Sequence, residues 1–170
     1  MTLATHAVVG GAVAALFPNH PITAFIAGFF SHFILDAIPH WDYKLLSVYA
    51  NPDKLGGSER IKADKYFILD LMRIGCDAIL GLLIIFILWN LVIFGDWRIL
   101  ILGAIGSMLP DFLQFVYARF PHQPMVALQK FHSSLMHAEY RLNDKPIIGV
   151  STQILTIIVV VLLVKYLISL

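Results

Sequence analysis

The chain has little charge and a single cysteine. Only 14% of its 170 residues are charged, and the formal net charge is +1. A soluble domain carries roughly a quarter. No dense basic run is present, which argues against a nucleic-acid partner. Cys76 is the only cysteine, so no disulfide scaffold can form within one chain. The start lacks a cationic segment, which argues against a cleaved signal peptide. There is no internal repeat and no low-complexity segment. What the chain has in excess is apolar surface: 59% hydrophobic residues and a mean hydropathy of +0.80. That balance is the opposite of a disordered chain. It points to an all-α, polytopic integral membrane protein, with residues 1–170 as a single transmembrane helical domain.

Turn residues divide the apolar runs. Thr2 to Phe17 reaches about 24 Å as a helix, just under a hydrocarbon core of about 30 Å. Pro18-Asn19-His20-Pro21 ends it, because neither proline can continue a helix. Ile22 to Ile38, stopped by Pro39, completes a helical hairpin. Residues 40–62 read as a cytoplasmic loop, with turn chemistry at Asn51-Pro52-Asp53 and Gly56-Gly57-Ser58. Ser58 or Asp64 can cap the next helix. That helix is expected over Ile61 to Phe94, followed by a polar turn at Gly95-Asp96-Trp97-Arg98. Ile99 to Leu109 forms another, and Pro110 either kinks it or opens a new helix running to Arg119. Residues 120–145 read as an interfacial segment, with Met125 to Tyr140 as its amphipathic helix. Ile147 to Leu170 is the last apolar run. The expectation is about five transmembrane helices plus one interfacial helix.

With the N-terminus on side A, these spans place Lys44, Lys54, Arg60, Lys62, Lys65, Arg73, Arg119, Lys130, Arg141 and Lys145 on that side. Side B holds only Arg98 and Lys165. The positive-inside bias makes side A cytoplasmic. The expected location is therefore the inner (cytoplasmic) membrane, crossed several times.

The polar residues gather on the same side. His6 lies near the start of the first helix, and His32 and Asp36 near the end of the second. His40 and Asp42 follow Pro39, and Asp70, Arg73 and Asp77 occupy the first half of the third helix. Asp111 follows Pro110, and His132 and His137 belong to the interfacial segment. Ionisable residues within a membrane are costly and are functional candidates by default. His32 and Asp36, four apart, share a helical face, where they can bind one cation or pin a helix end by a His–Asp hydrogen bond. His40 and Asp42 can turn back to the same point or belong to an ordinary loop. Arg73 between Asp70 and Asp77 reads as an ion-pair group, with the deeper Asp77 also open to a role at a metal. Asp111 fits the first turn of a helix begun by Pro110, where the dipole favours a carboxylate, or a metal site. His132 and His137 are five apart, about 140° around a helix, so they do not share a face. His20 and His122 sit in proline-bounded turns and read as structural.

These residues resemble the bacterial membrane-bound metal-dependent hydrolases. Thr5-His6 before Gly10-Gly11 is similar to that family's N-terminal Thr-His and Gly-rich helix. Ser31-His32 to Asp42 is similar to a Ser-His-x3-Asp-x2-Pro-His-x-Asp pattern of related membrane proteins. Leu109-Pro110-Asp111 after Gly103 and Gly106 resembles a Leu-Pro-Asp motif. His132 and His137 keep the spacing of a His-Arg-x2-Thr-His motif. The set is more distantly similar to zinc-dependent phospholipase C. Leu113 stands where the family has a second Asp, and Ser133 and Met136 replace the motif's Arg and Thr. Without that Arg, phosphate has no bidentate partner there.

Imidazoles and carboxylates together suit a divalent first-row ion, Zn²⁺ first among them. The metal ligands expected are His6, His32, Asp36, His40, Asp111, His132 and His137, with Asp42 or Asp77 orienting a water as general base. A membrane lipid, held by its headgroup at the cytoplasmic interface, is the expected partner and substrate, through a phosphoester. The alternatives are a metal-binding membrane protein without hydrolysis, such as a sensor or assembly factor, and a purely structural use of the polar residues.

Overall fold

The computed structural model describes residues 1–50, 59–62, 64–92, 95–120, 122–135 and 142–170. Six helices dominate them: α1 (Leu3–Ala14), α2 (Pro21–Asp36), α3 (Lys65–Leu91), α4 (Trp97–Arg119), α5 (Met125–Leu135) and α6 (Pro146–Ile168). Two short strands, β1 (Val48–Ala50) and β2 (Glu59–Ile61), pair antiparallel with Val48 opposite Ile61. The region expected to be all loop over 40–62 therefore holds a strand pair. Three-residue strands are too short to show an alternating pattern.

Three helices are long and apolar enough to cross a membrane: α3, α4 over Trp97–Ala118, and α6. Helices α1 and α2 have 12 and 16 residues and fall below that length. Five spans are thus more than length and composition show. Local chemistry explains the helix starts. Pro21 opens α2 and Pro146 opens α6 at positions needing no N–H donor. Asp64, rather than Ser58, caps α3 by accepting from the Tyr66 N–H, because Ile61 is taken by β2. Asp96 caps α4 in the same way through Arg98. Gly95, at φ 144°, supplies the backbone shape of the α3–α4 turn that a side chain would disfavour.

Pro110 lies inside α4, which runs unbroken past it to Arg119. Asp111 therefore sits mid-helix, and the expected first-turn dipole does not apply to it.

Helix α1 is the hub. It packs against α2, α3, α4 and α6, and Ala4 through Ala12 are all buried. Its small residues permit this, as in other membrane helix contacts. A Cβ on Gly103 of α4 would strike the Gly10 carbonyl and Ala14, and one on Gly28 of α2 would strike the Gly103 carbonyl. The apolar core joins Val8, Ala12 and Ala15 to Ile85, Leu100, Val161 and Val164. The outer faces of α3 and α6 carry exposed large apolar residues such as Leu83, Phe86, Leu155 and Leu162, the surface expected against hydrocarbon.

Candidate metal centre

The first turn of α1 delivers His6, and its free N–H groups are all used. Thr2 Oγ1 accepts from Thr5 N at 3.4 Å. Asp77 of α3 reaches across, with Oδ2 accepting from Leu3 N at 2.7 Å and Oδ1 from Ala4 N at 3.2 Å. A carboxylate at a helix N-terminus satisfies donors that the helix itself cannot. Tyr43 donates to the same carboxylate at 3.3 Å. Burial and the nearby Asp77 and Asp42 charges push the Tyr43 phenol above its ordinary value, so it remains a donor. Gln153 of α6 holds the other side, with Oε1 accepting from Thr2 N and Thr5 Oγ1 and Nε2 donating to the Trp41 carbonyl.

Beside this anchor, α1, α2, α4 and α5 converge. Asp36 is 5% exposed and His32 0%. Asp36 Oδ2 lies 3.1 Å from His32 Nε2 and 3.3 Å from His132 Nε2. The two Nε2 atoms are 3.0 Å apart. Asp111 Oδ1 stands back at 3.8 Å from His32 Nε2, and its side chain is 28% exposed. Ligand atoms of His32, Asp36, Asp111 and His132 all lie within 4.8 Å of one another, so this group could hold a metal ion.

His32 Nδ1 is 2.9 Å from the Ser107 carbonyl. A carbonyl only accepts, so Nδ1 carries the proton. A neutral His32 then aims its Nε2 lone pair at a carboxylate oxygen 3.1 Å away. Two lone pairs so close need a positive centre between them. A proton on Nε2 or a metal supplies it, and the Nδ1–carbonyl bond is the outer support that metal-bound histidines ordinarily have. Donor atoms on one tetrahedral zinc sit about 3.3 Å apart, given bond lengths of about 2.0–2.1 Å. The three close donors fit that spacing.

The other expected residues fall as follows. His6 stacks on His32, with ring centroids 4.1 Å apart, and its Nε2 is 3.2 Å from Asp36 Oδ1. His40 is buried just outside the cluster, with Nδ1 donating to the Ile38 carbonyl and Nε2 2.9 Å from the Met1 nitrogen. That nitrogen also contacts Asp36 Oδ1 at 2.9 Å. Asp42 is in the loop after α2, its N–H donating to Asn143 Oδ1 at 3.1 Å. Asp77 is committed to the α1 terminus and is not one of the four grouped residues. His137 lies outside the described residues.

The expected Asp70–Arg73–Asp77 group does not form as a unit. Asp70 Oδ2 accepts from the Ser47 N–H and hydroxyl at 2.6 and 2.7 Å, while Arg73 approaches Asp70 only to 3.5 Å. Sequence reasoning missed Ser107, Ser47 and Gln153. Ser107 acts through its carbonyl, which any residue carries, so its identity holds no signal. Gln153, a lone amide in an apolar run, was the findable one.

Together these features define a helical membrane-type bundle with a buried His/Asp centre able to hold a metal. Compared with family models, curated proteins and solved structures, the chain matches none.

Proposed function

We propose that this protein is a metal-dependent hydrolase of the bacterial inner membrane, with Zn²⁺ held by His32, Asp36 and His132. The observation that carries the reading is the His32 Nε2 lone pair, 3.1 Å from the Asp36 carboxylate, with Nδ1 spent on Ser107. Bound there, the metal would polarise an ester and make a water acidic near neutral pH. Asp111 is the set-back and most exposed member, its side chain 28% exposed, so water and substrate arrive on its side. Its carboxylate takes the proton of the attacking water, the role first assigned to Asp42 or Asp77. The substrate class proposed is a lipid phosphoester: water oxygen bonds to phosphorus, the bond to the alcohol oxygen breaks, that oxygen leaves as the alcohol with the proton Asp111 took, and the acyl chains stay in the bilayer. The resemblance to membrane-bound hydrolases supports this reading. No Arg stands beside His132, where the sequence has Ser133.

In the topology we propose, α1, α2, α3, α4 and α6 all cross, α5 lies at the interface, and the centre faces the cytoplasm. The short α1 is covered by its neighbours, α2 turns Ile22, Ile26, Phe30 and Ile34 outward, and the Lys and Arg distribution sets the side. A phosphatase reporter fused after Leu170 should then be active outside the cytoplasm; activity only inside refutes the orientation.

The decisive experiment is elemental analysis of the purified protein beside a His32→Ala, Asp36→Ala double variant. Stoichiometric zinc in the first and none in the second is the expected result, followed by phosphate or headgroup release from phospholipid micelles. No bound metal after loading with zinc, manganese or iron would leave His32 as an imidazolium paired with Asp36, a structural contact only.

A further inference from the structure

His6 is the least satisfied polar residue among those described. Its side chain is fully buried, and neither ring nitrogen makes a hydrogen bond. Nε2 lies 3.2 Å from Asp36 Oδ1 without the alignment an N–H donor needs. A misaligned N···O contact at that distance satisfies neither group. It is also the ordinary spacing of two donor atoms on one metal, about 3.3 Å.

The two carboxylates are shared between two imidazoles. Asp36 turns Oδ2 to His32 at 3.1 Å and Oδ1 to His6 at 3.2 Å. Asp111 turns Oδ1 to His32 at 3.8 Å and Oδ2 to His6 at 3.9 Å. The His6 and His32 rings are stacked, at an interplanar angle of 24°, so each presents Nε2 to its own side of both carboxylates. Asp36 Oδ1 also accepts from the Met1 ammonium at 2.9 Å, so an ion at this position would share that oxygen with the ammonium or displace it, and His6 stays unsatisfied meanwhile.

Resting on the metal-centre reading above, we infer that the centre has a second metal position, formed by His6 Nε2, Asp36 Oδ1 and Asp111 Oδ2, with Asp36 bridging to the ion held by His32 and His132. Carboxylate-linked ions about 3.5–4 Å apart are a recurring hydrolytic arrangement. Asp111 reaches the second position through Oδ2 and keeps Oδ1 on the His32 side, where the water is held.

The test is metal stoichiometry of the full chain in detergent, loaded with Zn²⁺ or Mn²⁺, for the wild type, His6→Ala, His6→Gln and the His32→Ala, Asp36→Ala variant. Two equivalents in the wild type, one in both His6 variants and none in the double variant is the expected pattern. Electron paramagnetic resonance of the Mn²⁺ form should show an exchange-coupled pair in the wild type and a single-ion signal in His6→Gln. If His6→Ala does not fold, the wild-type stoichiometry and coupled signal decide. One equivalent in the wild type, whatever His6→Ala does, overturns the second position and leaves the first reading standing. No metal in the wild type overturns both.

Discussion

Helices α1 and α6 are neighbours, and both are apolar along their length, yet they do opposite work. Helix α6 has 23 residues and turns Ile147, Leu155 and Leu162 outward. Helix α1 has 12 residues, built after Leu3 of Ala, Gly, Val, Thr and His, and is buried nearly all round. The difference is side-chain size. Small residues let four helices close on α1, and burial on every side lets it carry an imidazole away from lipid. Long aliphatic residues on α6 hold the bundle in hydrocarbon and contribute one polar group inward, Gln153.

The largest effect expected at the hub is from Gly103→Leu, which would drive side-chain atoms into the Gly10 backbone and Ala14. Overpacking of this kind costs about 3 kcal/mol or more. Loss of monodisperse protein, or a steep drop in thermal unfolding temperature, is the result that fits; a tolerated leucine would break the picture of α1 as hub. Next comes Asp36→Ala, which should abolish metal binding while the helical circular-dichroism signal persists. Asp111→Asn should keep the ion at His32, Asp36 and His132 yet lose hydrolysis, read by metal content against turnover.

Asp77→Ala should act on the hub from outside the centre. It frees two N–H groups of α1, and loss of a helix cap costs about 1–2 kcal/mol. Thermal unfolding checks this, and metal affinity should fall with it because His6 moves. Tyr43→Phe is smaller, about 1 kcal/mol for one hydrogen bond. The folded phenol holds its proton more tightly than the unfolded one, so its contribution is full below the ordinary value of about 10 and declines as pH rises beyond it. The Phe variant should lack that part of the alkaline decline. Smallest of all, Leu83→Ala with Ile158→Ala on the outward faces should change stability by about 0.5 kcal/mol or less each. A larger loss would show that those faces are covered by protein and not by lipid.

Much of the architecture is legible in the residue pattern. The apolar runs of α3 and α6 continue unbroken over many turns, so they survive any error at their ends. The prolines at 21 and 146 and the aspartates at 64 and 96 mark helix starts by local chemistry. The His32–Asp36 pair is legible for the same reason, since both residues share one helix face. Asp77 was not. On the sequence it pairs with Arg73, and nothing local shows that two N–H groups of a helix 73 residues earlier lie closer. Pro110 left two readings open, one helix or two, because proline is a strong local breaker while a packed bundle can hold a helix together across it.

By itself, then, the sequence determined the solvent, the helical class and the supply of imidazoles and carboxylates, because hydropathy, turn chemistry and composition are properties of neighbours along the chain. Only the tertiary structure decided which of those groups meet. It placed His6, His32, Asp36, Asp111 and His132 around one point and sent Asp70 to Ser47 and Asp77 to α1. Those pairings depend on which small residues let helices approach, and close approach is a property of neighbours in space.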